Sequence, residues 1–334
     1  MRRLIVAAVL LLSGGVAAYC LVPRDTVASP ELAARLERAA IEVDGVTVAI
    51  ADGDAWRKDG DRWVWHAHLF EPDWYERNYR ERDSRILRVA DDGREFAVRY
   101  VFSSGFEDAA KLPGLIGEKP GWTAFTLQSP RAPEIRDYVR LRKSILEGEG
   151  DFLDNRVEPT TERAHGGDRS LRCAAIAPAR GMVTSKASIN TELLHFKRND
   201  RVHFSAWYWL EQKLEWATLM DLETVWIDQH PGPRIVVNGG ALEVELKWAG
   251  KPKWRQAKPL SLPTGRWVLV EAEFLLHESD GRVRVWQDGN LIIDGTGQTL
   301  PLAESVLNDL EVGLSATAAA ATVYVDDVKI ARQP

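Results

Sequence analysis

From residue 200 onward, apolar and polar residues alternate with a period of two. In Trp267 to His277, the residues Val268, Val270, Ala272, Phe274 and Leu276 fall on one side, and Glu271, Glu273 and His277 on the other. In 242–248, Leu242, Val244, Leu246 and Trp248 oppose Glu243, Glu245 and Lys247. In 282–287, Val283 and Val285 oppose Arg282, Arg284 and Trp286. Side chains on a strand point alternately to its two faces, so each run predicts a strand with one buried and one solvated face. Asp280-Gly281 and Asp288-Gly289 flank the 282–287 run, a strong hairpin signal. A turn at Ser279-Asp280-Gly281 places Arg284 and Trp286 beside the 271–277 strand. Similar patterns predict strands at 138–146, 152–161, 170–176, 186–196, 202–210, 216–222, 234–237, 310–316 and 322–330. Strands in series without helices between them predict an all-β fold, an antiparallel two-sheet jelly-roll sandwich, over residues 105–334.

Upstream, residues 45–104 predict a small β-rich unit. Its strands are expected at 46–50, 62–70, 84–90 and 95–103, with turns at Asp59-Gly60 and Asp92-Gly93 and a helix or loop at 71–82. Residues 109–136, rich in Pro and Gly, read as a long connection. Residues 23–44 form a spacer with a short helix at 31–40, carrying Leu32, Leu36 and Ala39 at helical spacing. Met1-Arg2-Arg3, the apolar Leu4–Leu12 run and Val16-Ala17-Ala18 fit a secretory signal peptide. The uncharged stretch Leu4–Val22 is also long enough for a membrane anchor, so residues 1–22 are a signal peptide or a membrane tether. Either reading places the folded chain outside the cytoplasm: periplasmic, secreted or membrane-anchored.

Composition narrows the chemistry. A net charge of −6 argues against nucleic acid as a partner. Two cysteines, Cys20 and Cys173, leave neither a structural disulfide nor a cysteine metal cluster as an expectation. His66 and His68 share one face of a predicted strand and offer two metal ligands without a third. No cofactor is implied. Asp221, Asp228, Asp326 and Asp327 are oxygen donors for a structural calcium, but no ligand spacing marks such a site, and Asp326-Asp327 is expected to end or turn the last strand. Thirteen tryptophans are either large core residues or sugar-stacking platforms. Trp286, Arg284, Glu273, Glu271 and Lys247 are the candidate substrate-binding set, read as one sheet face that is either a solvated ion-pair surface or a polar groove with an aromatic platform. Glu271 and Glu273, about 6.5 Å apart at i and i+2, also have the residue types of an acid/base pair.

The segment Val202-His203-Phe204-Ser205-Ala206-Trp207-Tyr208-Trp209-Leu210, the hairpin from Asp280 to Asp294 and the closing Val323–Ile330 strand carry a family likeness. Over about residues 137–331 the chain resembles the concanavalin A-like jelly rolls, a group that includes laminin G-like modules, lectins and lyases of the alginate and heparin type. Trp226-Ile227-Asp228-Gln229-His230-Pro231-Gly232-Pro233-Arg234 is similar to the lyase segment in which a Gln and a His face a uronate sugar. That resemblance implies Gln229 as the group that neutralises the carboxylate, His230 as the base, Arg234 as an assisting cation and Tyr208 as the acid. Here Gln229 and His230 are adjacent, whereas the lyase pattern separates them by one residue. The two arginine positions of another lyase strand are occupied by Asn190 and Leu194. The expectation is a protein that recognises a polysaccharide or other glycan. The alternatives are a lyase cleaving uronate glycans by β-elimination and a non-catalytic envelope scaffold.

Overall fold

The computed structural model describes residues 26–43, 46–51, 54–68, 74–90, 93–224, 231–247 and 253–334. The chain divides into two compact units, with the boundary along the sequence between Glu95 and Phe96. In the first, helix α1 (Pro30–Ala39) begins at Ser29, whose hydroxyl accepts from the Leu32 amide. A four-stranded antiparallel sheet follows: β1 (Ile41–Val43), β2 (Val46–Ala51), β3 (Asp54–Asp59) and β4 (Arg62–His68). Leu36 from the helix packs with Ala49, Trp56 and Trp63 from the sheet. Glu37 ties the two together, accepting from Lys58 Nζ at 2.6 Å and from Trp63 Nε1 at 3.0 Å. A short helix α2 (Trp74–Asn78) leads into a three-stranded sheet of β5 (Tyr79–Arg82), β6 (Arg85–Val89) and β7 (Glu95–Ala97). The side chains of His66 and His68 lie outside the described part, and so does the Asp92 half of the second expected turn.

The second unit is a sandwich of two antiparallel sheets. The first sheet contains β8 (Val101–Ser104), β10 (Arg156–Thr160), β11 (Ser170–Ala175), β13 (Arg201–Leu210), β18 (Trp267–Leu275), β19 (Gly281–Gln287), β20 (Asn290–Gly297) and β22 (Ala321–Gln333). The second contains β9 (Ala124–Thr126), β12 (Ser185–Thr191), β14 (Trp216–Glu223), β15 (Pro233–Asn238), β16 (Ala241–Leu246), β17 (Lys253–Arg255) and β21 (Asp309–Thr317). Their facing sides supply one core. Val202, Phe204, Ala206 and Tyr208 of β13, and Val268, Val270, Ala272 and Phe274 of β18, meet Leu219, Leu222, Val244, Leu310, Val312 and Leu314. This is the two-sheet jelly roll that the alternating pattern predicts.

Three sequence expectations are corrected. Residues 138–146 are not a strand: helix α3 (Ile135–Glu147) runs through them. Tyr138, Leu141 and Ile145 recur at three- and four-residue spacing, Glu134 and Asp137 form a capping box, and Gly148 ends the helix at φ 74. The Pro- and Gly-rich 109–136 segment is not all connection, because it contains a 3-10 turn (Leu112–Leu115) and β9, which edges the second sheet. Asp326-Asp327 does not end the last strand. It forms a bulge inside β22, with Asp327 at φ 46, and the strand continues to Gln333. The bulge divides β22 into two halves, one pairing with β11 and the other with β8, so residues 101–104 belong to the large sandwich. Among the described residues no helix is long and apolar enough to cross a membrane, and residues 4–22 lie outside them.

Candidate functional site

Each sheet has a face turned away from the core, and both faces carry unusual side chains. On the first sheet, the odd-numbered positions of β13 point outward beside those of β18. Register places Trp209 opposite Trp267, Ser205 opposite Glu271 and His203 opposite Glu273. On the other side of β18, Glu271 faces Trp286 and Glu273 faces Arg284. Trp207, Trp209, Trp267 and Trp286 are all half-buried. Trp209 and Trp267 meet edge to face at 5.9 Å, and His165 stacks on Trp207 at 3.7 Å. The Arg163 guanidinium lies 4.5 Å from the Trp209 ring centre. Arg284 reaches Glu273 at 3.2 Å, and His203 lies 3.7 Å from Glu271.

Four members of the predicted substrate-binding set are therefore neighbours: Glu271, Glu273, Arg284 and Trp286. Lys247 is not among them, because it follows β16 on the other sheet. Alternation assigns a face within one strand but not the sheet to which the strand belongs. Trp207, Trp209, Trp267 and His165 were missed as site residues. The signal for the β13 pair was present in the alternation of Val202, Phe204, Ala206 and Tyr208 against His203, Ser205, Trp207 and Trp209.

On the second sheet, two Asp-x-Glu triplets lie side by side. Asp221-Leu222-Glu223 of β14 pairs with Asp309-Leu310-Glu311 of β21, so that Asp221 faces Glu311 and Glu223 faces Asp309. The leucines enter the core and leave four carboxyl groups on the opposite face, where Asp221 is 1%, Glu223 3%, Asp309 4% and Glu311 6% exposed. Ser315 Oγ lies between Asp221 and Glu311, and Ser188 Oγ donates to Glu311. Asn190 Nδ2 donates to Asp309 at 3.2 Å. Lys247 Nζ donates to Glu223. Burial would push the Lys247 ammonium down, but Glu223, Asp221 and Glu311 outweigh it and hold the pKa above its ordinary value. Burial, together with repulsion from Glu192, Glu223 and Glu311, raises the Asp309 carboxyl well above its ordinary range. Burial and the neighbouring Glu223 and Asp221 raise Glu311 as well, against the pull of Lys186 and Lys247. One oxygen from each of Asp221, Glu223 and Glu311 lies within 4.8 Å of the others, a spacing that could hold a metal ion.

Among the residues implied by the lyase resemblance, Gln229 and His230 lie outside the described part, as does Asp228. Arg234 is buried and committed: its Nε donates to Glu245 Oε1 at 2.8 Å, while Lys253 takes the other oxygen of Glu245 at 2.5 Å. Burial opposes ionisation of Glu245, and the two cations overcome it and hold the carboxyl below its usual range. Tyr208 is not placed to act as an acid. It is 0% exposed, faces the core between the sheets, and its hydroxyl donates to the Leu219 carbonyl at 3.1 Å. Burial pushes its pKa far up. Asp326 is also a structural residue, with one oxygen accepting from the His165 and Gly166 amides, and burial pushes its carboxyl up to about 6.

No protein-family model matches the chain, and no curated protein does. Several solved structures resemble its fold. An endo-β-1,4-glucuronan lyase from the fungus Trichoderma reesei matches at 12% identity and TM-score 0.44, covering 54% of this chain and 88% of the lyase. The cellulose-induced protein Cip1 matches at 17% identity and TM-score 0.46, covering 69% of this chain and 96% of Cip1. The alginate lyase AlgAT5 of polysaccharide lyase family 7 matches at 11% identity and TM-score 0.43, covering 67% and 99%. The resemblance to jelly-roll polysaccharide lyases is one of fold, and any function is argued from the chain's own residues.

Proposed function

We propose that the large unit binds a polysaccharide on the outward face of its first sheet. The observation that carries this reading is the group of incompletely buried tryptophans, Trp207, Trp209, Trp267 and Trp286, held in register on β13, β18 and β19. Burying these rings completely would have been the default for large aromatics. The flat, weakly apolar faces of sugar rings stack on such platforms, and the charged groups beside them hydrogen-bond hydroxyls or sugar carboxylates. His203, Glu271, Glu273 and Arg284 stand next to the rings and supply donors and acceptors of both signs. Residues 1–22 support an extracytoplasmic location, where polysaccharides are met.

This is a binding function, with no catalytic step assigned. Arg234 and Tyr208 are both engaged in holding the sandwich together, which removes two of the groups a lyase centre would need. The test is retardation of the full chain in native gels cast with each of a panel of neutral and uronate polysaccharides. Trp286→Ala is expected to weaken retention by about tenfold, the loss expected from one stacked ring of about 1.5 kcal/mol, with an unchanged far-ultraviolet circular dichroism spectrum. Equal retention of the variant and the parent would remove this face as the binding surface.

A further inference from the structure

The polar face of the second sheet gathers four buried carboxyl groups. Asp221, Glu223, Asp309 and Glu311 are all buried there, and Lys247 is the ammonium bonded among them. Arg234 and Lys253 are directed to Glu245 instead. A second observation concerns Asp221 alone. Its Oδ2 accepts from Ser315, while its Oδ1 is buried and has no donor among the described residues. A buried carboxylate oxygen without a partner is costly, and it marks a position where an ion or water completes the shell. Asp221 lies across the strand pair from Glu311, within the group of oxygens that span no more than 4.8 Å. Hard carboxylate oxygens without nitrogen or sulfur partners select hard divalent cations.

We infer that Asp221, Glu223 and Glu311 form a binding site for a hard divalent cation, with calcium as the probe. Ser315, between Asp221 and Glu311, and Ser188, on Glu311, hold the ligands in orientation. Lys247 is the internal competitor, because its ammonium occupies Glu223.

The experiment is calorimetric titration of the chelator-treated full chain with calcium chloride. The expected result is saturable binding. Asp221→Asn is expected to weaken calcium by about tenfold or more, through the loss of one charged ligand. Lys247→Gln is expected to tighten it by removing the competing ammonium. Circular dichroism shows whether each variant folds. If Asp221→Asn does not, Glu311→Gln replaces it and carries the same expectation. The inference is overturned by an absence of saturable binding, or by calcium affinity that the ligand substitution leaves unchanged, which would place calcium elsewhere on the chain. It is equally overturned if Lys247→Gln fails to tighten binding.

Discussion

At the residue scale, burial separates structural groups from available ones more sharply than residue type does. Tyr208 and Arg234 have the side chains of an acid and an assisting cation, yet each spends its polar atoms inside the protein. Tyr208→Phe is expected to lower stability by about 1–2 kcal/mol, the value of one buried hydrogen bond and the carbonyl it leaves unpaired, and to leave glycan retention unchanged. A loss of retention without a loss of stability would give Tyr208 a different role. Arg234→Met leaves Glu245 with Lys253 as its remaining close cation, and breaking a buried pair from one side costs about 3–5 kcal/mol. Chemical denaturation measures this, and a cost below 1 kcal/mol would mean that the pair is well solvated. The tryptophans are the converse case. They are residues of the core-forming type that this fold leaves incompletely buried, and replacing them is expected to affect binding more than folding.

At the scale of elements, alternation exposed the faces of β13, β18 and β19, because a two-residue period maps directly onto a strand. It also placed Asp-Gly turns correctly at 59–60 and 288–289, where Gly60 and Gly289 adopt positive φ. The same rule misread Ile135–Glu147. There the spacing of Tyr138, Leu141 and Ile145 is helical, and the capping pair Glu134 and Asp137 was the overlooked evidence. The paired Asp-x-Glu triplets were each visible in the sequence, but their adjacency arises from pairing between strands almost ninety residues apart, and no local pattern encodes that. Two glycines test the element geometry. Gly148→Ala has open space but a left-handed backbone at φ 74, and is expected to cost about 1 kcal/mol. Gly313→Ala is expected to cost about 3 kcal/mol or more. It combines φ 111 with a methyl group 2.6 Å from Cys173 Sγ and 3.1 Å from the Ala187 carbonyl, so neither core nor backbone can yield cheaply. Thermal unfolding of the two variants should rank them in that order, and the reverse order would contradict the register of β21 against β12.

At the scale of the whole molecule, the sandwich has one hydrophobic interior and two outward faces with different electrostatics. The acidic face makes stability depend on pH in a defined direction. Asp309 has a raised pKa in the folded state, so the folded protein retains a proton that the unfolded chain releases. The stability linked to it is fully present below the ordinary carboxyl value of 3.8 and is lost as pH rises through the higher folded value. His195 acts in the opposite sense. Burial lowers it from 6.5 to about 4, so its contribution is present above 6.5 and is lost as pH falls toward 4. Asp309→Asn removes only the first effect. The unfolding free energy of the parent minus that of the variant is expected to fall steadily as pH rises above 4, and a difference independent of pH would contradict the protonated state of Asp309.

The tryptophan face is the central claim, and it is tested most directly by titrating the full chain with the polysaccharide that retards it most. Binding is followed by intrinsic tryptophan fluorescence in the parent and in a Trp209→Ala, Trp286→Ala double variant. The account predicts a saturable spectral change in the parent and a loss of affinity of at least about a hundredfold in the folded double variant, from two stacked rings at about 1.5 kcal/mol each. Matching titration curves for the two proteins, or no change in the parent with any member of the panel, would contradict it.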